Sequence, residues 1–287
     1  MGGVTKTFLL GTGCMKGGTT WLFQYLKTSP QYVAGFRKEY HVFDALDVPA
    51  MAHRKDRAVH DAEAALTRAR SGGSVNAQVM MLAAMQADPA FYYDYFAGLL
   101  MTRPTARVTA DVTPSYGLLP AARLGEIRDE FAARGVRTVA LFLMRDPVDR
   151  ILSHLRMQVR ETPERFHKPP HELLLRRHWH PQYELRTRYD RTIAVLDSVF
   201  ERQDVIYGFY EDLFSEARIR EICATLGVDF HPPRFDERHN ASPPARTVPD
   251  ETVRAVATHY REVYDAVAGR FPELDLPALW PSMRLLG

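Results

Sequence analysis

The chain has 287 residues, of which 46% are hydrophobic, and its formal net charge is +2. This length and composition suit one α/β domain with a full core, while the near-neutral charge argues against wholesale binding of nucleic acid. The only two cysteines, Cys14 and Cys223, lie far apart, which argues against a disulfide framework and against a structural zinc site.

The first predicted element is an apolar strand over residues 7–12, followed by a glycine-rich turn and a helix over residues 19–28. Backbone N–H groups and the positive end of the helix dipole converge at such a turn, so it favours a bound anion. Glycines let the main chain approach phosphate oxygens, and lysine and threonine side chains add further donors. The residues that supply these groups are Lys16, Gly17, Gly18, Thr19 and Thr20, with Trp21 directly after them. The turn is not a Walker A loop, because in that motif the lysine follows the last glycine, whereas Lys16 precedes both glycines. The alternative is a strand-to-helix turn that binds no ligand.

A short strand is predicted near residues 31–36, and a charged segment over residues 37–44 follows it. If this segment is extended, Glu39 and His41 share one face with Arg37 and Phe43. A carboxylate or an imidazole there can accept the proton of a reacting hydroxyl. The alternative is a solvated charged turn.

Residues 45–105 are predicted to form a helical insertion, with helices near 61–70 and 89–101, before a strand over residues 107–112. Asp111 near the end of that strand can orient a ligand or Lys16, or it can be a buried structural carboxylate.

A further apolar strand is predicted over residues 137–144, and Pro147 suits the first turn of a helix that runs to about residue 159. Arg145 therefore lies at the carboxyl end of a strand, where open α/β sheets bind ligands and where a guanidinium can grip a phosphate. The alternatives are a surface pair of Arg145 with Asp146, or Asp146 as a helix cap without a ligand.

The last third of the chain begins with a basic helical segment over residues 156–200, which includes a helix near 184–201. Its arginines and histidines can line the site of an anionic ligand or can form a solvated helical face. A buried strand is predicted over residues 204–210, with Glu211 and Asp212 at the start of a helix. A final helix is predicted over residues 249–268.

Three of these segments resemble the sulfotransferases that use 3′-phosphoadenosine 5′-phosphosulfate (PAPS). The turn at residues 16–21 is similar to their 5′-phosphosulfate loop, which reads Lys-x-Gly-Thr-Thr-Trp or Lys-Gly-Gly-Thr-Arg. Arg145 and Ser153 have the spacing of the Arg and Ser that bind the 3′-phosphate in that family. Residues 37–44 resemble the Glu-x-His-Phe-Phe-Asp segment of heparan sulfate 3-O-sulfotransferases and their bacterial relatives, in which the Glu is the catalytic base. Those enzymes have a lysine where this chain has Val112, which argues against a heparan-like acceptor.

The resemblance implies a single sulfotransferase domain over residues 1–287 with a P-loop-like α/β fold: a parallel sheet of about five strands with helices on both faces. It implies PAPS as the sulfuryl donor, no metal, and Lys16, Glu39 and His41 as catalytic residues. The donor would contact the loop residues 16–20, Trp21 beside the adenine, Arg145 and Ser153, and also Arg238 and Ser242 from a polar loop before the last helix.

The acceptor implied is a hydroxyl-bearing molecule, neutral or anionic, and can be a small molecule, a glycan or a lipid. An ATP-dependent small-molecule kinase is disfavoured by the loop order and by the lack of a clear acid for Mg²⁺, and a non-catalytic nucleotide-binding protein stays open. We expect a cytoplasmic protein without a stable membrane anchor, because Phe8-Leu9-Leu10 is too short for a signal peptide or a membrane span. The sequence does not indicate an oligomeric state.

Overall fold

The computed structural model describes residues 5–236 and 248–286. Within these ranges, four strands form one parallel sheet in the order β2–β1–β3–β4. The strands are β1 (Lys6–Gly13), β2 (Val108–Val112), β3 (Val136–Met144) and β4 (Val205–Phe209). The two central strands carry continuous apolar runs because helices cover both faces of the sheet.

The fifth strand predicted near residues 31–36 is wrong. Tyr32 forms only an isolated bridge with Val108 at the outer edge of β2, and the N–H of Val33 donates to the Val108 carbonyl. The Thr109 hydroxyl donates to the Val33 carbonyl, 2.8 Å away. A side chain thus takes the acceptor that would otherwise extend the ladder, and regular pairing stops there, although the N–H of Val112 donates to the Lys38 carbonyl further along.

Two layers of helices cover the sheet, so the predicted two-sided α/β arrangement is confirmed. Phe8 and Leu10 of β1 point into the larger cluster, which is packed by α5, α6, α7, α10 and α13, whereas Leu9 points into the smaller cluster with α1 and α11. The helices are α1 (Thr19–Lys27), α2 (Phe43–Asp47), α3 (His53–Arg70), α4 (Ala77–Ala87), α5 (Pro89–Leu99), α6 (Ala121–Ala133), α7 (Pro147–Glu161), α8 (Pro170–Arg177), α9 (Pro181–Glu184), α10 (Tyr189–Val199), α11 (Glu216–Leu226), α12 (Asp250–His259), α13 (Arg261–Arg270) and α14 (Leu276–Leu279).

Two predicted helices differ from those observed. The final helix is divided at Tyr260, which leaves helical geometry while its hydroxyl donates to the His178 carbonyl. Glu211 and Asp212 do not begin a helix, because α11 starts at Glu216 with its N-terminus capped by the Ser215 hydroxyl.

No helix in residues 5–236 and 248–286 has both the length and the apolar character needed to cross a membrane.

Candidate active site

The glycine-rich turn between β1 and α1 packs against the end of β3. The N–H of Cys14 donates to the Leu143 carbonyl at 2.5 Å. A Cβ atom at Gly17 would lie 2.6 Å from that same carbonyl oxygen, and Gly18, the residue before α1, has a φ of +91°. Both positions therefore require glycine, the first for its close approach and the second for its backbone conformation. Trp21 and Leu22 donate their N–H groups to the Gly18 carbonyl, while the amides of the first two residues of α1 have no intrahelical acceptor and are available to an anion.

Lys16 lies on this turn with its side chain directed at α7. Its ammonium group is 3.8 Å from the thioether sulfur of Met157. Burial lowers the pKa of Lys16, and the positive charges of Arg160 and Arg145 lower it further. A bound anion would reverse this penalty, so the surroundings of Lys16 favour a negatively charged ligand.

Arg145 lies at the carboxyl end of β3, as predicted. Its guanidinium stacks on the Tyr210 ring at 4.1 Å from the centroid, and its Nη1 donates to the Lys16 carbonyl at 3.3 Å. Its Nε is buried and has no hydrogen-bond partner in the described part of the chain. Ser153 is buried on α7, one turn before Met157, and therefore faces the same side of the helix as the residue that Lys16 contacts.

Asp146 is not paired with Arg145 on the surface, so that alternative is wrong. Asp146 is buried, and its Oδ1 caps α7 by accepting from the N–H of Val148 at 2.9 Å. Its Oδ2 accepts from both the N–H and the hydroxyl of Ser282. Glu211 accepts from the Asp146 N–H at 3.0 Å and from the Trp280 indole at 3.2 Å. Burial raises the pKa of Glu211 to about 7.

Glu39 is connected to the start of α1, directly after the glycine-rich turn, through Lys38. The Lys38 ammonium lies 2.7 Å from Glu39 Oε1 and 3.4 Å from the Thr19 hydroxyl. The Glu39 side chain keeps 38% of its surface exposed, so it is open to a substrate. Burial opposes its ionisation, but hydrogen bonding to His41 and the charge of Lys38 outweigh burial and hold its pKa at about 2.

His41 lies between two carboxylates. Its Nε2 is 3.3 Å from Glu39 Oε2, and its Nδ1 is 2.7 Å from Asp44 Oδ2, which also accepts from the Ser115 hydroxyl. Burial lowers the pKa of His41, but the hydrogen bonds to Asp44 and Glu39 outweigh this and raise it above its usual value. With both ring nitrogens donating to carboxylates, the imidazolium form is favoured and has no lone pair to accept a proton.

The prediction that the side chains of Glu39 and His41 lie on the same side of their segment is confirmed. The extended backbone conformation that this prediction assumed is wrong. His41 has a φ of +54°, and the Thr113 hydroxyl accepts the N–H groups of both Tyr40 and His41. Arg37 is exposed instead of facing Glu39. Arg37 lines a separate cavity of 270 Å³ between residue 36 and helices α3 and α4.

Asp111 is a structural carboxylate. It is fully buried and accepts hydrogen bonds from the hydroxyls of Tyr92 and Thr113 and from the Tyr40 N–H. Burial raises its pKa to about 6.

The ring of Trp21 stacks with two aromatic rings, Tyr25 at 5.9 Å and Phe235 at 5.6 Å. These rings already occupy part of the surface on which an adenine was predicted to stack. The two remaining predicted contacts, Arg238 and Ser242, lie outside the described residues.

Three residues at this site were missed by the sequence analysis: Lys38, Asp44 and Ser115. Asp44 ends the motif that identified Glu39, and this was the available signal for it. No sequence motif indicates Lys38 or Ser115. The contact of Lys38 with Glu39 depends on a turn in the chain, and Ser115 comes from a neighbouring segment. Among the described residues, no group of three or more His, Cys, Asp or Glu side chains is placed to hold a metal ion.

Comparison with known proteins gives matches to sulfotransferases. Residues 9–232 match the family model described as "Sulfotransferase family". A sulfotransferase from Alicyclobacillus acidocaldarius superimposes with a TM-score of 0.58 and 19% identity, over 93% of this chain and 95% of that one. The sulfotransferase domain of the Synechococcus PCC 7002 olefin synthase gives a TM-score of 0.45 and 18% identity, over 90% and 96% of the two chains. The search of curated proteins finds no match.

Proposed function

Because the chain belongs to the sulfotransferase family, we propose that it transfers the sulfuryl group of PAPS to a hydroxyl group of an acceptor by in-line displacement. The observation that carries this proposal is the pairing of two anion-binding features at adjacent strand ends. One is the glycine turn with Lys16, and the other is Arg145, whose buried Nε lacks a protein partner in the described ranges.

These residues fit a donor with two separate anionic groups. The turn at Gly17 and Gly18 leaves no room for a Cβ, so the backbone amides can lie against phosphate oxygens. We assign the 3′-phosphate to Arg145 and Ser153, as their resemblance to the Arg and Ser of the sulfotransferases implies. Trp21 stays the candidate for the adenine contact, and Arg238 and Ser242 stay predictions from sequence.

The donor supplies the sulfuryl group, and the residues of this chain supply the base and the compensating charge. Glu39 is ionised, partly exposed and held by Lys38, so it can accept the proton of the attacking hydroxyl. His41 positions Glu39, because it bridges Glu39 to the buried Asp44. Lys16 and the amides of the turn stabilise the negative charge that develops on the departing 5′-phosphate oxygen.

The nucleotide can be tested by thermal-shift titration with PAPS, 3′,5′-adenosine bisphosphate, 5′-AMP and Mg-ATP. We expect the first two to stabilise the protein most, because only they carry a 3′-phosphate for Arg145. Stabilisation by Mg-ATP alone would instead support a kinase, and a nucleotide that binds without turnover on any hydroxyl would support a non-catalytic protein.

Lys16→Ala then tests catalysis, with sulfuryl transfer followed as release of 3′,5′-adenosine bisphosphate. We expect turnover to fall by roughly a hundredfold or more, since Lys16 acts mainly on charge that appears in the transition state. Lys27→Ala is the matched control, because Lys27 is an exposed lysine at the other end of α1. Near wild-type turnover in Lys16→Ala would remove Lys16 from the mechanism.

A further inference from the structure

A second group of cationic side chains lies beside the catalytic residues and is not used by the mechanism above. Arg150 on α7 is completely buried. Its Nη2 donates to the Tyr183 carbonyl at 3.0 Å, but neither its Nε nor its Nη1 has a hydrogen-bond partner in the described ranges. A buried guanidinium with two unpaired donors is costly unless an acceptor is supplied from outside the chain.

Two further arginines, Arg54 and Arg186, join Arg150 in what we call the cationic cluster, and the neutral side chain of His154 packs beside them. His154 is one turn further along α7, is buried, and packs on the Tyr183 ring at 5.0 Å. His154 Nδ1 and Arg54 Nε are buried without a partner among residues 5–236 and 248–286. Arg186 Nη1 donates to the Gln182 carbonyl at 2.9 Å. The contact described for its Nη2 is the sulfur of Met51, 3.6 Å away.

The cationic cluster reaches from the phosphate loop to the catalytic carboxylates. Burial lowers the pKa of His154 to about 2, and the charges of Arg150, Arg186 and Lys16 act in the same direction. Arg54, at the other end, lies close enough to Asp44 and His41 to lower the pKa of both, although burial and hydrogen bonds act more strongly on these two groups. The contacts agree with this placement: Arg150 and His154 lie on α7, whose Met157 meets Lys16, and Arg186 meets Met51, just after the helix α2 that carries Asp44.

Around Arg186, two other guanidinium groups act against a single carboxylate. Burial lowers the pKa of Arg186 to about 10, with Arg150 and Arg54 adding to the effect and Asp44 alone opposing it. Asp44 Oδ2 already accepts from His41 and Ser115. Asp44 Oδ1 has no hydrogen-bond partner among the described residues. Even so, one carboxylate carries a single negative charge against three guanidinium groups, so a bound anion would offset the excess positive charge.

We propose that the cationic cluster binds an anionic group of the acceptor, so that the acceptor is a hydroxyl compound that also carries a carboxylate, sulfate or phosphate. This inference rests on the proposed function for the identity of the reaction. The anionic groups of the donor already have partners in the turn at residues 16–20 and in Arg145 with Ser153. Arg186 instead contacts Met51, close in the chain to α2 and its Asp44, which His41 connects to Glu39. Guanidinium groups bind such oxyanions with paired hydrogen bonds.

The test uses Arg54→Gln and Arg186→Gln, because both side chains are partly exposed and their loss should not disrupt folding. The matched control is Arg176→Gln, an exposed arginine on α8. Calorimetry first measures the binding of 3′,5′-adenosine bisphosphate to all four proteins. Thermal shift then measures the effect of sodium sulfate at saturating bisphosphate, against sodium chloride of equal ionic strength.

We expect bisphosphate affinity to stay within about threefold in both variants, while apparent sulfate affinity falls roughly tenfold or more. Arg176→Gln should behave as wild type. Activity assays with matched pairs, such as 4-hydroxyphenylacetate and its amide, should show that wild type prefers the anion and that Arg186→Gln loses this preference.

Three results would overturn the inference. One is a sulfate effect that is absent in wild type, or equal in wild type and both variants. Another is a sulfate effect that disappears in Lys16→Ala but persists in the arginine variants, which would assign the anion to the position of the donor's sulfuryl group. The third is a large loss of bisphosphate affinity in Arg54→Gln and Arg186→Gln. Failure of the proposed function would give a different result. In that case 3′,5′-adenosine bisphosphate would not bind to wild type, while the affinity for sulfate would still fall in Arg54→Gln and Arg186→Gln.

Discussion

Replacing Glu39 with glutamine tests the assignment of the catalytic base. The amide keeps the shape of the side chain, and its oxygen can still accept a hydrogen bond from Lys38, but it cannot accept a proton. General base catalysis contributes about 10²- to 10⁴-fold to a rate. We therefore expect kcat of Glu39→Gln to fall by roughly a hundredfold or more, with the affinity for 3′,5′-adenosine bisphosphate unchanged.

The pH dependence of the wild-type enzyme should differ for the two candidate bases. A Glu39 with a pKa of about 2 is ionised at every practical pH, so kcat/KM should show no acid limb between pH 5 and pH 7. If His41 were the base, kcat/KM would rise with pH through the pKa of His41, which lies above 6.5. Glu39→Gln also removes one of the two carboxylates around His41, so the imidazole titration followed by NMR should move to lower pH.

The assay is release of 3′,5′-adenosine bisphosphate from PAPS in the presence of acceptor, with Glu63→Gln as control. Glu63 is an exposed glutamate on α3, far in sequence from the catalytic segment. The assignment is refuted if Glu39→Gln retains most activity while His41→Ala abolishes it at unchanged nucleotide affinity. His41 would then be the base, and the carry-over from the 3-O-sulfotransferases would be wrong at this position.

Three further predictions concern the nucleotide site and its support. Arg145→Ala should weaken 3′,5′-adenosine bisphosphate by about 2 to 4 kcal/mol in calorimetry and leave 5′-AMP nearly unchanged, whereas equal losses would show that Arg145 does not bind the 3′-phosphate. Gly17→Ala should fold but lose the nucleotide-induced thermal shift, because its Cβ would lie 2.6 Å from the Leu143 carbonyl oxygen; nucleotide binding of normal strength would contradict this steric argument. Glu211 has its pKa raised from 4.5 to about 7, so the folded state binds more protons and the free energy of unfolding should fall as pH rises from 5 to 7.5. Allowing for partial exposure, Glu211 should account for about 2 kcal/mol of this fall, and urea denaturation of Glu211→Gln should show a flatter pH dependence; an unchanged slope would exclude Glu211 as its source.

Features encoded by local pattern could be predicted from the sequence. The apolar runs of β1 and β3 identified the central strands, and the glycine turn and the position of Arg145 followed from where those strands end. Contacts that depend on a change in the direction of the backbone could not be predicted from the sequence. Alternation placed Lys38 on the side away from Glu39, yet the positive φ of His41 and the hydroxyl of Thr113 bend the segment, and Lys38 contacts Glu39.

The number of basic residues in a stretch of the sequence also did not predict well where basic side chains come together in the fold. Most of the basic side chains in residues 156–200 point to solvent, and Arg176 is one of them. The cationic cluster takes only Arg186 from that segment and combines it with Arg54 from the helical insertion and Arg150, which lies before the segment. What brings these three together is the tertiary packing of α3, α7 and the link before α10, which the number of arginines in a stretch does not encode.

The buried carboxylate of Asp146 has a consequence for how this protein should be cut or fused. The family match ends at residue 232, but the donors that Asp146 receives from Ser282, and the indole that holds Glu211, come from residues 280–282. An expression boundary drawn at the end of the match would also remove the Tyr264 hydroxyl, and would leave a buried carboxylate short of three hydrogen bonds directly beside Arg145, at a cost of about 1 to 3 kcal/mol or more. Residues beyond the family match thus complete the buried network next to Arg145, and any truncation, tag or fusion at this end should be screened by nucleotide affinity as well as by yield.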